Sequence, residues 1–225
     1  MAYTVEELIA RFRNDIEDTV EPFLWSEVEV LEYLDEAQDD FVYKTRMFTR
    51  QITLAYTALD TTVNIPSYLV DVRRGFAPSG KRLTLVNEEE WADQRLVSDY
   101  GFQVSTNQWE TDQAAEPTTL ITDITTGKYR LYPIPTATDE LSLNIFNTPL
   151  STPIDGDELE VTDKKSQRII MLKVHSLAYL KHDSQTLNKG LSDDFSEMYE
   201  EAVDKQAHRL DQRKRRPKAV AYGGY

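Results

Sequence analysis

Carboxylates crowd the stretch FLWSEVEVLEYLDEAQDDF, residues 23–41, directly after Trp25. On a helix, acids spaced three and four residues apart share a face, which is the arrangement a hard cation needs. Bundle sites for two metal ions, however, use Glu-x-x-His on two helices with inward-facing ligands. Here no histidine follows these acids at that spacing, and apolar residues take the inward face. We therefore interpret the stretch as the solvated side of a helix, without a metal, and its acids are Glu32, Asp35, Glu36, Asp39 and Asp40.

Histidine is the second residue type that could carry chemistry. His175 and His182 lie seven residues apart in one helical stretch, which would suit metal ligation or a proton relay. No acid stands at a supporting position near His175 in the sequence, and apolar residues fill the same stretch. A hydrogen-bonded or surface histidine is the favoured interpretation.

Motifs for nucleophilic catalysis and phosphate binding are missing from the sequence. It contains no cysteine, no Gly-x-Ser-x-Gly elbow, no Walker A motif and no Gly-x-Gly-x-x-Gly. The sequence therefore predicts no catalytic residue and no cofactor, and it does not support an enzyme.

Charge is unevenly distributed along the chain. The total is −14, and removing the five cations of the stretch RKRRPK leaves −19 on the remaining residues. Such an acidic body would repel nucleic acid and anionic membrane. The basic cluster would contact nucleic acid, dock onto an acidic protein, or only complement a helix dipole before a disordered end. Since the body repels DNA, a protein partner is preferred, and the predicted docking residues are Arg213, Lys214, Arg215, Arg216, Lys218, Tyr222 and Tyr225.

Neither end of the sequence nor its interior suggests a membrane. No apolar run approaches the roughly 18 residues that a span requires, and MAYTVEELIARF lacks the layout of a signal peptide. We expect a protein made in the cytoplasm of a cell.

Two helices are predicted at the start of the chain, each opened by a capping box. Thr4 with Glu7 caps the first, which should end before Pro22. Ser26 with Glu29 caps the second, which should run from about residue 27 to about 48. The second helix should bury one stripe that contains Val28, Leu31, Leu34, Gln38, Phe41, Thr45 and Phe48.

The period of the pattern then changes toward two, which indicates strands. We predict strands near residues 51–56, 62–66, 69–74, 82–86, 118–124, 128–132 and 140–146, a short helix near 88–96 and a long loop over 100–117.

Helix returns after Asp163, a predicted N-cap, and Gly190 is expected to cap the end of that helix. A fourth helix should start near Ser192, bury Phe195, Met198, Tyr199, Ala202 and Leu210, and stop by Pro217.

Helices, strands and helices in this order predict an α+β protein. Its helical bundle is built from both ends of the chain, and a mostly antiparallel β-domain is inserted between them. The expected segments are N-terminal helices in 1–49, a β-domain in 50–160, C-terminal helices in 161–213 and an extended basic and aromatic arm in 214–225.

Three stretches resemble the head-to-tail adaptor (connector) proteins of tailed bacteriophages, in particular the tail tubular protein A group. The first is Trp25-Ser26 leading into the helix with Ala37-Gln38 and Phe41. The second is YRLYPIP, residues 129–135, followed by LSLNIF and Pro149-Leu150. The third is the helix–strand–helix order that ends in a basic arm.

This resemblance implies a structural virion protein of the neck, without catalysis. It implies a ring of twelve copies under the portal protein, with DNA passing through the channel without specific binding. C-terminal segments would reach the portal, and the other end of the ring would receive the next tail or nozzle protein. Alternatives are a virion-associated cell-wall hydrolase, another tail component, or a DNA-binding adaptor.

Overall fold

The computed structural model describes residues 2–91, 115–153, 157–181 and 187–214. The chain divides into two units, which we call the helical unit (Met1–Met47 with Thr148–Tyr225) and the β-unit (Phe48–Asn147). The helical unit is formed by both ends of the chain, and the β-unit is inserted between them. The predicted α+β class is therefore confirmed. The division into four segments predicted from the sequence is finer than these units and stays a prediction.

Helix α1 spans Val5–Asp15 and begins at the predicted capping box. The Glu7 amide donates to Thr4 Oγ1 at 3.2 Å, and the Thr4 amide donates to the Glu7 carboxylate at 3.3 Å. These bonds satisfy two amides that have no partner inside the helix. The apolar side of α1 is buried through Val5, Leu8, Ile9 and Phe12.

Helix α2 spans Glu27–Thr45 behind the Ser26–Glu29 capping box. It ends earlier than predicted because Arg46 adopts the left-handed conformation, with φ of 48°. Val28 was predicted to be buried but is 64% exposed, while Val30 is fully buried. Residues two positions apart on a helix differ by about 200° around its axis. Val28 therefore lies nearly opposite the buried Val30 and faces solvent. The buried residues are Val30, Leu34, Ala37, Gln38, Phe41, Val42 and Thr45.

The turn between α1 and α2 is organised around the carboxylate of Asp18, which is buried. It accepts hydrogen bonds from the amides of Leu24 (3.0 and 3.1 Å) and Trp25 (3.4 Å) and pairs with Arg13 at 3.2 Å. Trp25 is buried and packs edge-on against Phe12.

Helix α3 spans Lys164–Tyr179, and the predicted cap is confirmed because Asp163 accepts from the Ser166 amide at 3.1 Å. Its C-cap is Leu180, so the expectation that Gly190 ends this helix was wrong. The indole Nε1 of Trp25 donates to the carbonyl of Ala178 at 3.1 Å, which joins the α1–α2 turn to the end of α3.

Helix α4 spans Lys189–Lys214 and starts before the predicted position near Ser192. Asn188 provides the N-cap interaction that sequence reading missed, since its Oδ1 accepts from the Leu191 amide at 3.2 Å. Gly190 therefore lies in the first turn of α4. The helix buries Tyr199 and Val203, whereas Met198, which was predicted to be buried, is 54% exposed.

The β-unit contains two sheets. The order in the first is β1–β7–β3, all antiparallel, and in the second it is β2–β6–β5–β4, in which β4 and β5 are parallel. Buried side chains of both sheets, such as Leu54 and Leu143 from one and Leu120 and Leu131 from the other, belong to a single apolar core. The strands are β1 Thr49–Tyr56, β2 Thr62–Asn64, β3 Leu69–Phe76, β4 Thr84–Asn87, β5 Thr119–Thr125, β6 Lys128–Tyr132 and β7 Asp139–Asn147.

Two predicted connections of the β-unit are described only in part. Residues 88–91 are helical, in agreement with the start of the predicted short helix, and the rest of that helix lies outside the described residues. The same holds for positions 100–114 of the predicted loop.

Candidate partner-binding surfaces

One side of α2 carries a row of carboxylates that we call the acidic stripe: Glu32, Asp35, Glu36 and Asp39. Their spacing of three and four residues places them on one helix face, as the sequence predicted. Asp35 is half-buried and the other three are exposed. Within the part of the chain that the structure describes, none of the four makes an ion pair.

The pKa values of two carboxyls in the stripe, those of Asp35 and Asp39, are raised. Partial burial raises the pKa of Asp35. Partial burial, followed by the negative charges of Asp35 and Glu160, raises the pKa of Asp39. A raised pKa would also suit a general acid, but such an acid needs a cleft for its substrate. Asp39 is exposed, and the two clefts of the β-unit described below are lined by other residues.

Asp40, by contrast, belongs to a charged cluster between α2 and α4. Lys44 Nζ lies 3.0 Å from Asp40 Oδ2 and 2.6 Å from Glu200 Oε1, and it also faces the ring of Tyr199 at 5.2 Å. Burial opposes the charge of Lys44, but both carboxylates outweigh it and raise the pKa of the ammonium. Burial, with the charges of Asp40 and Glu200, strongly raises the pKa of the Tyr199 hydroxyl. This cluster fixes the packing of the two helices, so Asp40 is not part of the open acidic stripe.

His175 is buried, and its Nδ1 donates to the carbonyl of Met171 at 2.6 Å. The interpretation as a hydrogen-bonded histidine is therefore confirmed. Sequence spacing missed the nearest acid, because Asp15 comes from α1 and its Oδ2 lies 3.7 Å from His175 Nε2. Burial lowers the pKa of His175, and the bond to Met171 and the charge of Asp15 oppose that shift only in part. The ring stacks on Phe195 with centroids 5.0 Å apart.

Neither the metal nor the relay interpretation gains support from these positions. His182 lies outside the described residues, and the exposed His208 accepts a hydrogen bond from Gln212 on its own helix. Among the described residues, no three histidine, aspartate or glutamate side chains come together as a metal site would require. Nor is any described helix long and apolar enough to cross a membrane.

The β-unit carries a polar cleft of about 170 Å³, which we call the arginine cleft. It is lined by Thr49 and Arg50 at the start of β1, by Arg73 and Arg74 on β3, and by Asn144 on β7. In the register of the sheet, β7 lies between β1 and β3, and Asn144 stands opposite both Gln51 and Arg74. A break in the pairing between Val72 and Arg74 places Arg73 and Arg74 in succession at the cleft.

The three arginines are exposed, and none of them forms an ion pair within the described residues. Sequence reading missed this cleft because Arg50 and the pair Arg73–Arg74 are more than twenty residues apart. Only the pairing of both strands with β7 brings them together. A second cleft, of about 220 Å³, is lined by Tyr56, Glu116 and Asp139 among others.

A family model described as SU10 adaptor protein matches residues 3–221, which is nearly the whole chain. The protein belongs to the SU10 adaptor protein family. This is a family of phage head-to-tail adaptors, so the resemblance noted in the sequence is confirmed. No curated protein matches the chain.

In this SU10 adaptor, the residues that carried the resemblance have structural roles. Trp25 is the buried anchor of the α1–α2 turn, and Ser26 caps α2. Ala37 and Gln38 are buried, and the Gln38 side chain accepts a hydrogen bond from the Val161 amide at 3.4 Å. The residues of this motif therefore help to build the helical unit.

The predicted docking residues of this SU10 adaptor lie at and beyond the end of α4. Arg213 and Lys214 are the last two residues of the helix. The other predicted docking residues, Arg215, Arg216, Lys218, Tyr222 and Tyr225, lie outside the described residues. Their role as a docking element stays a prediction.

Proposed function

We propose that this protein is a structural component of the virion neck that docks beneath the portal as a ring and joins it to the tail, without a catalytic role. The observation that carries the proposal is the family match over residues 3–221. A helical unit built from both chain ends, with the β-unit inserted, agrees with the resemblance to phage adaptors. The proposed ring of twelve copies and its contact with the next tail or nozzle protein rest on that resemblance.

The charge of the chain suits a wall around DNA that must slide. Each cation that touches a phosphate releases counterions and adds a salt-dependent hold on the duplex. A protein with a formal charge of −14 offers few such contacts. DNA would pass through the channel of the ring without specific binding.

Docking on the portal is assigned to the cationic end of α4 and the arm that follows it. Residues 213–225 contain five lysines and arginines and two tyrosines, a composition that suits contact with an acidic partner surface. Repetition around the ring multiplies weak single contacts, because each docked arm raises the effective concentration of the next.

A truncation before Pro217 tests the role of the arm. The truncated protein should keep its far-ultraviolet circular dichroism and its urea midpoint, because the described core ends before this point. It should no longer sediment with capsids that contain the portal. A second variant, Arg215→Glu with Arg216→Glu, should weaken this binding about tenfold or more, as loss of several ion pairs would.

The matched control for that variant is Lys189→Glu with Lys205→Glu, which makes the same change of charge within α4. This control should bind portal-containing capsids as the wild type does. If the truncated protein still attaches at wild-type affinity, the arm is not the docking element.

A further inference from the structure

We propose that the arginine cleft binds the carboxylates of the acidic stripe on a second copy of this chain, and that this contact joins neighbouring copies. The inference rests on the self-assembly contained in the proposed function. It goes further by naming the two surfaces, which are residues of the β-unit on one copy and of α2 on the next.

The cleft has the chemistry of an oxyanion site. Arg50, Arg73 and Arg74 line one cavity of about 170 Å³ together with Asn144. Three like charges held around one small cavity repel each other unless an anion neutralises them. Guanidinium groups match the planar carboxylate with two parallel hydrogen bonds, and a cleft with several of them can receive adjacent acids.

Such an occupant must come from outside the β-unit strands that form the cleft. The three arginines have no acidic partner among the described residues, although the chain has 39 acids against 25 lysines and arginines. Where acids outnumber lysines and arginines, most arginines have an acid nearby to pair with. Three arginines without such a pair in one cleft therefore indicate an acidic partner.

Protein carboxylates are favoured over DNA phosphates as the occupant. Three cations on a body of charge −14 are too few to hold a duplex, since affinity for DNA grows with the number of phosphates neutralised. The same net charge repels DNA at a distance. An acidic protein surface needs only local complementarity with the cleft.

A second copy of the chain supplies such a surface in the acidic stripe. Glu32, Glu36 and Asp39 are exposed, and none of them makes an ion pair within the described residues. Acids at these spacings destabilise a helix through mutual repulsion. Partial burial, followed by the charges of Asp35 and Glu160, raises the pKa of Asp39. Contact between the two surfaces would reduce the repulsion between like charges within each of them. This reduction favours the pairing of the stripe with the cleft.

Charge reversal with rescue tests the pairing in the full-length protein. One variant carries Arg50→Glu, Arg73→Glu and Arg74→Glu, and a second carries Glu32→Lys, Glu36→Lys and Asp39→Lys. Mass photometry of each protein, alone and with purified portal, measures assembly. Each variant alone should raise the concentration needed for assembly about tenfold or more, and an equimolar mixture of the two should recover it.

Two control variants make the same changes of charge elsewhere. They are Lys81→Glu with Arg82→Glu and Lys128→Glu in the β-unit, and Asp193→Lys with Asp194→Lys and Glu197→Lys on α4. Both should assemble as the wild type does. Reversal variants that assemble normally, or a mixture that shows no recovery, would overturn the inference.

A cysteine pair reports the contact directly, because the chain has no cysteine of its own. Arg74→Cys mixed with Glu36→Cys should give a disulfide-linked dimer under mild oxidation, and Arg74→Cys mixed with Glu197→Cys should not. If the wild type forms rings on the portal but no cross-link appears, the inference fails and the proposed function stands. If no ring forms at all, the proposed function fails. A salt-dependent shift of duplex DNA that the arginine reversal abolishes would instead identify the cleft as a DNA site.

Discussion

Replacement of the buried Asp18 by alanine should destabilise the helical unit more than the loss of any one exposed or half-exposed charge. The Asp18 carboxylate accepts from the amides of Leu24 and Trp25 and pairs with Arg13, and its side chain is 3% exposed. The substitution leaves those amides without their acceptor, and the guanidinium keeps only the Trp25 carbonyl, 3.1 Å from Arg13 Nη1. It also frees the turn that holds Trp25 against the carbonyl of Ala178.

The size of the effect follows from the burial of the pair. Removing one partner of a buried ion pair costs about 3–5 kcal/mol. The Arg13 side chain is 12% exposed, so water can solvate it in part, and we expect the low end of that range, about 3 kcal/mol. Asp18→Asn keeps the shape and one acceptor oxygen, so it should cost about half as much.

Urea unfolding followed by far-ultraviolet circular dichroism measures this, since α1 to α4 all belong to the helical unit. Glu197→Ala, an exposed acid on α4, is the control and should change the free energy of unfolding by less than about 0.5 kcal/mol. A loss below about 1 kcal/mol for Asp18→Ala would refute the reasoning, because it would mean that water replaces the carboxylate at little cost.

Two further predictions concern His175 and Gly75. Because the pKa of His175 is lowered, the unfolded chain binds a proton at this residue more readily than the folded chain does. The contribution of neutral His175 to stability is therefore complete above the unfolded pKa of about 6.5. As pH falls below that value, the contribution is lost by at most about 1.4 kcal/mol per pH unit. His175→Phe keeps an aromatic ring on Phe195 and should flatten the pH dependence of the urea midpoint between about pH 7 and about pH 5.5, and an unchanged slope would contradict this origin. A Cβ at Gly75 would lie 2.9 Å from methyl carbons of Leu83 and Leu143, so Gly75→Ala should destabilise the β-unit by about 1–3 kcal/mol, measured by hydrogen exchange of the β7 amides. Gly190→Ala, whose Cβ would have no atom nearer than 3.6 Å, is the matched control and should be neutral or slightly stabilising, and equal effects of the two substitutions would refute the packing argument.

Local signals in the sequence were sufficient for the starts of α1, α2 and α3 and for the class of the fold. Thr4, Ser26 and Asp163 cap helices as predicted, because an N-cap depends on residues within three positions of one another. The carboxyl ends of α2 and α3 and the start of α4 were less predictable. Arg46 stops α2 in a left-handed conformation that glycine or asparagine usually adopts, and Asn188 was passed over in favour of Gly190.

Features that depend on long-range pairing were beyond sequence reading. Asp15 meets His175 across 160 positions of the chain, and Arg50 meets Arg74 through a strand that begins at residue 139. No periodicity within either stretch encodes such a meeting. The acidic stripe was predictable, since helical spacing alone defines it, whereas its complement on the β-unit became visible only once the register of β7 was known.

We propose above that this adaptor assembles on the portal as a ring. Native mass spectrometry of the protein mixed with purified portal tests this assembly most directly. The account predicts a complex in which one portal carries about twelve copies, and loss of that complex after truncation before Pro217. Ring assembly on the portal would be contradicted if the protein bound as a single copy. It would also be contradicted if no complex formed at protein concentrations well above those at which other neck contacts form.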